Sequence, residues 1–441
     1  MDTLSSHSSN PILSVISEVD TLNKKGRVVE AYGTTIKVSG IAARIGQQCL
    51  ITDKKRTHRV YADVVGISDD KAILLPLGNI SGIAQDSEVT VVKETTTVSF
   101  SNQMVGMVLD GLGNPYNAKT HEIDSKDIPI YRDAPSPLER KPINKPLLTG
   151  VCAIDSLLTL GVGQRTGIFA PAGGGKSTLL SMLARHAETD VIVIAMIGER
   201  GREVGEFIEH TLTEEGLKRS VLIVSTSERP AMERLRAAYT ATAIAESFRE
   251  QGLNVLFLMD SVTRFARALR EIGLSIGEPP VRRGYPPSVF AELPKLFERT
   301  GNDKHGTITA FYTVLMEDEQ STDPIAEEVR SLLDGHIVLT RKLAEENHYP
   351  AIDVLKSTSR LLNHITSNEH RKLIMRFKSL LAKYQEVEFL VQVGEYQEGS
   401  DPDADEAIKK YQMMKKYLQQ DLESMAEFTS LYEKLEEIIN E

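Results

Sequence analysis

The chain has 441 residues, of which 41% are hydrophobic and 26% are charged, as in ordinary soluble globular proteins. A chain of this length predicts about three domains, each large enough to bury its own core. The formal net charge of -11 disfavours nucleic acid as the principal partner, because binding to phosphates needs clustered lysine and arginine.

Cysteine usage and the lack of long apolar runs indicate an intracellular protein. Cys49 and Cys152 have no second cysteine or histidine at metal-ligand spacing, so both are expected to be small buried hydrophobic residues in a reducing cytosol. The first residues lack the basic lead and apolar run of a signal peptide, and no stretch is long enough to cross a bilayer. We therefore expect a cytoplasmic protein whose membrane association is peripheral.

The first 25 residues are expected to form a serine-rich tip and a short helix. Apolar residues recur at helical spacing between residues 10 and 22. Such a terminal helix either packs on its own domain or docks a partner, and the spacing does not separate these two roles.

Residues 26–95 change to short alternating runs separated by turn-forming residues. This pattern predicts a small closed β-barrel. The runs are Arg27–Tyr32, Thr34–Val38, Arg59–Val65, Ala72–Leu75 and Val89–Val92. A turn-rich entry, Met104–Pro115, follows the barrel, and the proline-laden stretch from Pro129 to Pro146 predicts an extended connection along the surface of the next domain.

The stretch Thr166–Thr178 reads as a strand, a phosphate-binding loop and a helix. It matches the nucleotide-loop pattern except that the first position is Ala170, where a small residue is the main requirement. Glycines in the loop allow amide groups to turn inward around phosphate oxygens. Lys176 is expected to reach the terminal phosphates and the Ser177 hydroxyl to hold Mg²⁺. The nucleotide-binding candidates are Ala170, Pro171, Ala172, Gly173, Gly174, Gly175, Lys176, Ser177 and Thr178.

The central part of the chain alternates near-continuous apolar runs with amphipathic helices, which predicts a mostly parallel sheet covered on both faces. The runs are Asp190–Ile197, Val221–Ser225, Val255–Asp260 and Thr307–Leu315. Asp260 ends one run and is expected to bind Mg²⁺ through a water. Glu199 follows another and is the candidate to activate the attacking water, although a solvated charged loop also explains it.

After about residue 365 the strand signals vanish and the pattern becomes helical. Ile408, Tyr411, Leu418, Leu422, Met425, Leu435 and Ile438 are predicted to fall on one apolar stripe. Ser400–Glu441 contains 11 acidic residues and five lysines, so the outer face of this region is negative. That face is either solvated or an acidic surface for a partner.

Several motifs together resemble the rotary-type ATPase superfamily, and within it the type III secretion ATPases. These motifs are Gly198–Glu203, Asp260–Arg267, Gly277–Phe290, Asp334–Leu339 and the decapeptide Pro350–Ser359. The resemblance implies a RecA-like, mostly parallel α/β core with an N-terminal β-barrel and a C-terminal helical domain. The expected domains are residues 1–25, 26–95, 96–365 and 366–441.

The resemblance also implies residue roles. Lys176, Ser177 and Asp260 match the phosphate and Mg²⁺ residues, and Glu199 matches the catalytic glutamate. Arg200 and Arg264 match the family's arginines beside the γ-phosphate. Arg360 matches the arginine finger that reaches a neighbouring subunit, and Tyr349 matches the aromatic residue that stacks on adenine. Tyr349 is otherwise an ordinary tyrosine before a proline.

The family implies an ATP- and Mg²⁺-dependent protein-export ATPase that forms a homomeric ring of six. Its expected partners are the stator and central stalk of the export apparatus and chaperone–substrate complexes, at the cytoplasmic face of the inner membrane. The injectisome branch is preferred, and flagellar export is the second candidate. A motor core of this kind also fits a catalytic subunit of a rotary ion-translocating ATPase or an inactive structural ring. It fits an RNA translocase ring as well, although the barrel offers no aromatic cluster on which bases could stack.

Overall fold

The computed structural model describes residues 25–53, 57–116, 124–316, 323–425 and 427–440. The helix expected between residues 10 and 22 lies outside these residues. The described residues form two compact units, one ending at Thr96 and the other beginning at Thr97. The proposed division into four domains stays a prediction.

The first unit contains the predicted closed barrel, with all pairs antiparallel in the order β1, β2, β5, β4, β3, β6. Its strands are β1 (Gly26–Tyr32), β2 (Thr35–Ser39), β3 (Gln48–Thr52), β4 (Arg59–Ser68), β5 (Lys71–Pro76) and β6 (Glu88–Lys93). Inward-facing side chains such as Ile36, Ile51 and Leu74 are fully buried, whereas residues between them reach solvent. The sequence pattern missed β3, because Gln48 is polar yet buried and weakens the alternation.

The second unit contains short strands and one large sheet. Its strands are β7 (Thr97–Phe100), β8 (Val108–Asp110), β9 (Lys126–Pro129), β10 (Pro146–Leu147), β11 (Leu160–Gly161), β12 (Arg165–Pro171), β13 (Val191–Ile197), β14 (Ser220–Ser225), β15 (Asn254–Asp260), β16 (Gly301–Asn302), β17 (Thr307–Met316), β18 (Gly335–Val338) and β19 (Thr358–Ser359). β7 pairs with β9, and β10 pairs with β11.

Most helices of this unit precede or follow strands of the large sheet. The helices from Asn368 onward form the C-terminal part of the unit. They are α1 (Cys152–Leu157), α2 (Lys176–His186), α3 (Gly201–Glu206), α4 (Thr213–Lys218), α5 (Ala231–Glu250), α6 (Val262–Ser275), α7 (Pro287–Phe297), α8 (Pro324–Leu332), α9 (Arg341–Glu345), α10 (Leu362–Ile365), α11 (Asn368–Gln392), α12 (Pro402–Leu418) and α13 (Phe428–Asn440), with 3₁₀ turns at Asn102–Met104 and Pro137–Glu139 and a π-helical turn at Phe207–Leu212. Among the described residues, none of these helices is long and apolar enough to cross a membrane.

The large sheet is mostly parallel, as predicted. Its order is β19, β18, β12, β17, β15, β13, β14, β8, with β16 pairing antiparallel to β17. β13 and β14 are buried along their whole length, because helices cover both faces. β8 was missed by the sequence pattern, since it has three residues; it pairs with β14 at the edge of the sheet. The parallel strands end at one edge of the sheet, so the turns after β12, β13 and β15 lie together there.

The connection through Pro129–Pro146 is held against the rest of the second unit by two buried side chains, Arg299 and Asn302. Arg299 is 1% exposed and donates to the Ile130 carbonyl, while both of its remaining donor positions bind the Glu246 carboxylate at 2.8 and 2.7 Å. Asn302 donates to the Lys141 carbonyl. These bonds fix the extended chain between β9 and β10. Cys49 and Cys152 are buried free thiols, as expected.

The prediction of a single apolar stripe in the tail is wrong. Two helices, α12 and α13, replace it, and Met425 between them is 53% exposed. α12 ends at Leu418, and two residues later the Gln420 amide donates to the Tyr349 carbonyl. The Gln420 side chain accepts a hydrogen bond from the Cys152 amide and donates one to the Gly150 carbonyl. Tertiary hydrogen bonds thus replace the helical ones that a continuous stripe would require. Met414 and Leu418 of α12 pack into the same core as the large sheet.

Candidate active site

The loop between β12 and α2 has the shape of a phosphate cradle. Gly173 and Gly175 have φ values of +76° and +79°, where a side chain is strained, and Gly175 caps α2. Gly174 is needed for a different reason, because an added Cβ would lie 2.9 Å from the Pro171 ring. The free amide groups of the first turn of α2 point to this loop and favour an anion there.

Lys176, the first residue of α2, lies between two carboxylates. Its Nζ is 2.7 Å from Asp260 Oδ1 and 3.4 Å from Glu199 Oε1. Burial alone would lower the pKa of Lys176, but the charges of Asp260 and Glu199 outweigh it and raise that pKa. The side chain therefore carries a positive charge where the cradle meets the strand ends.

Glu199 follows β13 and is buried, with 5% of its surface exposed. Burial, with a further contribution from Asp260, raises its pKa to about 7, although Lys176 opposes the shift. The amide of Ser227 donates to the Glu199 carbonyl at 3.0 Å, which fixes the backbone of the turn. A carboxylate that changes protonation near neutral pH is suited to accept a proton from water.

Asp260 ends β15 and is also 5% exposed. Its Oδ1 accepts a hydrogen bond from Thr313 Oγ1 at 2.7 Å as well as the bond from Lys176. Thr313 was missed at the level of sequence, because a threonine inside an apolar strand has no local mark of function. Register places it beside Ile168 of β12, within the strand that separates β12 from β15.

The donor set suits Mg²⁺ bound together with a nucleotide. Ser177 is exposed in the first turn of α2, and Asp260 supplies a carboxylate at the end of β15. Among the described residues, no group of three or more His, Cys, Asp or Glu side chains could hold a metal by itself. Oxygen donors in small number are typical of Mg²⁺, which keeps several waters and takes other ligands from phosphates.

The arginines predicted to serve the γ-phosphate lie in three different surroundings. Arg264, in the first turn of α6, packs against the Gly198 turn, and its buried Nε has no hydrogen-bond partner within the described ranges. The Arg200 side chain is 77% exposed and its nearest acid is Glu203, with their polar atoms 3.7 Å apart. Arg360 is exposed at the end of β19 and donates to the Arg330 carbonyl at 3.2 Å. One protomer therefore brings Arg264 to the cluster but not Arg200 or Arg360.

Tyr349 lies at the other end of the cradle. A Cβ added to Gly175 would be 3.2 Å from the Tyr349 ring, so the ring contacts the phosphate loop directly. The tyrosine lines a cavity of about 580 Å³, whose other walls are Thr178, Asn347, Lys416, Gln419, Gln420, Asp421 and Leu422. Sequence patterns missed the C-terminal wall, because its residues lie far along the chain. They also missed Arg341, which donates to the Ala172 carbonyl at 3.1 Å.

Comparison with known families covers most of the chain. Residues 28–93 match the model described as the β-barrel domain of the ATP synthase alpha/beta family, and residues 150–359 match its nucleotide-binding domain. Residues 366–437 match the T3SS EscN ATPase C-terminal domain.

Individual relatives are similar over nearly their whole length. A Type 3 secretion system ATPase from Xanthomonas euvesicatoria is 50% identical over 416 residues, which covers 94% of each chain. A flagellum-specific ATP synthase from Bacillus subtilis is 46% identical and covers 95% of this chain and 98% of the relative.

Solved structures of EscN, from the type III secretion system of enteropathogenic E. coli, are similar in fold. The assembled EscN ATPase matches with a TM-score of 0.89 at 45% identity, covering 94% of this chain and 100% of EscN. EscN in complex with its central stalk EscO matches with a TM-score of 0.87 at the same identity and coverage.

Proposed function

This chain belongs to the type 3 secretion system ATPases of the ATP synthase alpha/beta family, and we propose that it hydrolyses MgATP between neighbouring copies of itself to drive protein export. The observation that carries the proposal is the meeting of Lys176, Glu199 and Asp260 at the mouth of the Gly173–Gly175 cradle. These residues come from three strand ends, and together they supply the groups that phosphoryl transfer to water requires.

Each residue of the site has a separate task in this mechanism. The cradle and the first turn of α2 bind the phosphate chain, and Lys176 leaves its carboxylate partners to neutralise the terminal phosphates. Glu199, freed from Lys176, orients the attacking water and accepts its proton. Ser177 and Asp260 would hold Mg²⁺, which when bound neutralises charge on the phosphate oxygens. Tyr349 stacks on the base, and the cavity beside it receives base and ribose.

Arg360 completes the site of the next protomer. Its guanidinium is exposed and lies outside the cluster formed by its own chain, which fits a group presented to a neighbour. An arginine supplied in trans is worth about 10³–10⁵ in rate. Because one chain carries both the cradle and the finger, identical copies can close into a ring, and six copies are proposed from the family.

The export role is proposed from family membership. EscN is assembled with a central stalk, and we infer that an equivalent stalk inserts into this ring. Stator proteins and chaperone–substrate complexes are the remaining proposed partners, and the site of action is the cytoplasmic face of the inner membrane. The injectisome branch is preferred, with flagellar export as the second candidate, since relatives of both kinds are similar to the chain.

A mixing experiment tests the shared site. Glu199→Gln and Arg360→Ala are each expected to lose ATP hydrolysis while still binding nucleotide. When the two variants are mixed, an Arg360→Ala protomer keeps Glu199 and receives Arg360 from its Glu199→Gln neighbour, so part of the activity should return. Phosphate release is measured against total protein, and wild type should rise steeply with concentration. No recovery on mixing, together with a linear wild-type rate, would contradict a site built from two copies.

A further inference from the structure

Thr313 has one hydroxyl proton and two acceptors within reach. Its Oγ1 lies 2.7 Å from Asp260 Oδ1 and 3.3 Å from the Met259 carbonyl. A carboxylate is the stronger acceptor and is also the closer one, so the hydroxyl donates to Asp260. The bond joins two neighbouring strands of the large sheet at their carboxyl ends.

The two donors to Asp260 Oδ1 differ in freedom. Lys176 has a flexible four-carbon stem and, in the proposed mechanism, moves to the phosphates. Thr313 is β-branched and fully buried on a central strand, so its hydroxyl cannot follow. When Lys176 leaves, Thr313 is the donor that stays with Asp260.

The surroundings prevent easy replacement of the Thr313 hydroxyl by water. Thr313 is 0% exposed and Asp260 is 5% exposed. A second bond ties β17 to α6, the helix that begins two residues after Asp260, since the Leu315 amide donates to Thr263 Oγ1 at 2.9 Å. The spacing between Thr313 and Asp260 is thus held by the fold on both sides of the bond.

We propose that Thr313 is a positioning residue that keeps the Asp260 carboxylate in one orientation for the water shell of Mg²⁺, whether or not Lys176 is bound to it. This inference rests on the proposed function, because it assumes a magnesium nucleotide in the cradle. Without the hydroxyl, the carboxylate would be free to turn with the Lys176 ammonium, and the metal would be bound more weakly.

The test compares ADP affinity in Mg²⁺ and in EDTA, measured with a fluorescent ADP analogue, so that hydrolysis is not the readout. Thr313→Val keeps the shape and removes the hydroxyl, and we expect the gain in affinity caused by Mg²⁺ to shrink about 10- to 100-fold, as for a lost hydrogen bond to a charged group. Affinity in EDTA should change little. Thr313→Ser retains the hydroxyl and should restore the Mg²⁺ effect.

Thr309→Val is the matched control, because Thr309 is also fully buried on β17 but accepts a hydrogen bond from the Gly163 amide, away from Asp260. It should lose stability without losing the Mg²⁺ effect. A Thr313→Val protein with the wild-type Mg²⁺ effect overturns the proposal. If the wild type itself shows no Mg²⁺ effect, the proposed function fails instead.

A double-mutant cycle with Asp260→Asn serves if Thr313→Val folds poorly, using Thr313→Ala in its place. If Thr313 acts through the Asp260 carboxylate, loss of its hydroxyl should reduce the Mg²⁺ effect only in the Asp260 background. Equal losses in both backgrounds would show that Thr313 acts independently of the Asp260 carboxylate and would overturn the proposal.

Discussion

The Nζ atom of Lys176 lies 2.7 Å from Oδ1 of Asp260. The positive charge proposed to bind the phosphates of ATP is therefore paired with a carboxylate of the protein in this structure. In the proposed mechanism, nucleotide binding therefore breaks one buried ion pair and forms another. The same exchange frees Glu199, whose Oε1 is 3.4 Å from the same ammonium. The proposed mechanism in this way links phosphate binding and activation of Glu199 through a single lysine.

Glu199→Gln should reduce hydrolysis about 10²- to 10⁴-fold, the usual contribution of a positioned general base. ATP affinity should be retained, because the cradle and Lys176 are intact. Phosphate release and binding of a fluorescent ATP analogue measure the two effects. Glu206→Gln is the matched control, since Glu206 is exposed and pairs with Arg202 rather than with Glu199. Activity above one tenth of wild type would exclude Glu199 as the base.

The raised pKa of Glu199 predicts that the same variant is more stable than wild type at alkaline pH. The pKa rises from 4.5 to about 7 on folding, so Glu199 stabilises the fold below pH 4.5, and this contribution is lost as pH increases through about 7. Glutamine imitates the protonated form at every pH. The free energy of unfolding of Glu199→Gln should exceed that of wild type by on the order of 3 kcal/mol at pH 8 and by nearly nothing at pH 4.

Urea unfolding at several pH values measures this difference, with nucleotide absent. A Glu199→Gln protein that is less stable than wild type at pH 8 would mean that the pairing with Lys176 outweighs burial of the carboxylate.

Tyr349→Ala should raise the dissociation constant for ATP about 10-fold, because stacking on a base is worth roughly 1–3 kcal/mol. Tyr349→Phe keeps the ring and should bind ATP as wild type does. Inorganic triphosphate has no base, so its affinity should be the same in all three proteins. Calorimetric titration measures both ligands, and equal losses for ATP and triphosphate would indicate that the substitution damages the adjacent phosphate loop instead.

Arg299→Leu should lower the free energy of unfolding by about 3–5 kcal/mol, because it leaves the buried Glu246 carboxylate without its bidentate partner. It also removes the bond to the Ile130 carbonyl. Arg202→Leu is the control, since the Arg202 side chain is 85% exposed in its pair with Glu206. This substitution should lower the free energy of unfolding by less than about 1 kcal/mol. Urea midpoints compare the two variants, and similar small losses would show that the buried pair is dispensable.

Local patterns in the sequence determined the barrel, the parallel sheet and the phosphate loop, because apolar periodicity and glycine placement act over a few residues. They also pointed to Glu199 and Asp260, since each follows a buried strand and parallel strands end at one edge. The roles of Arg200, Arg264, Arg360 and Tyr349 came from family resemblance and stay predictions.

Only the tertiary structure decided which side chains meet. It brought Thr313 of β17 to Asp260 of the adjacent strand β15. It also placed Gln420 against Tyr349, where the continuous helix predicted from the apolar stripe is interrupted. The contact between Lys176 and Asp260 spans 84 positions of the chain. Such contacts leave no local pattern, because they depend on strand order and on hydrogen bonds between residues that are distant in the sequence.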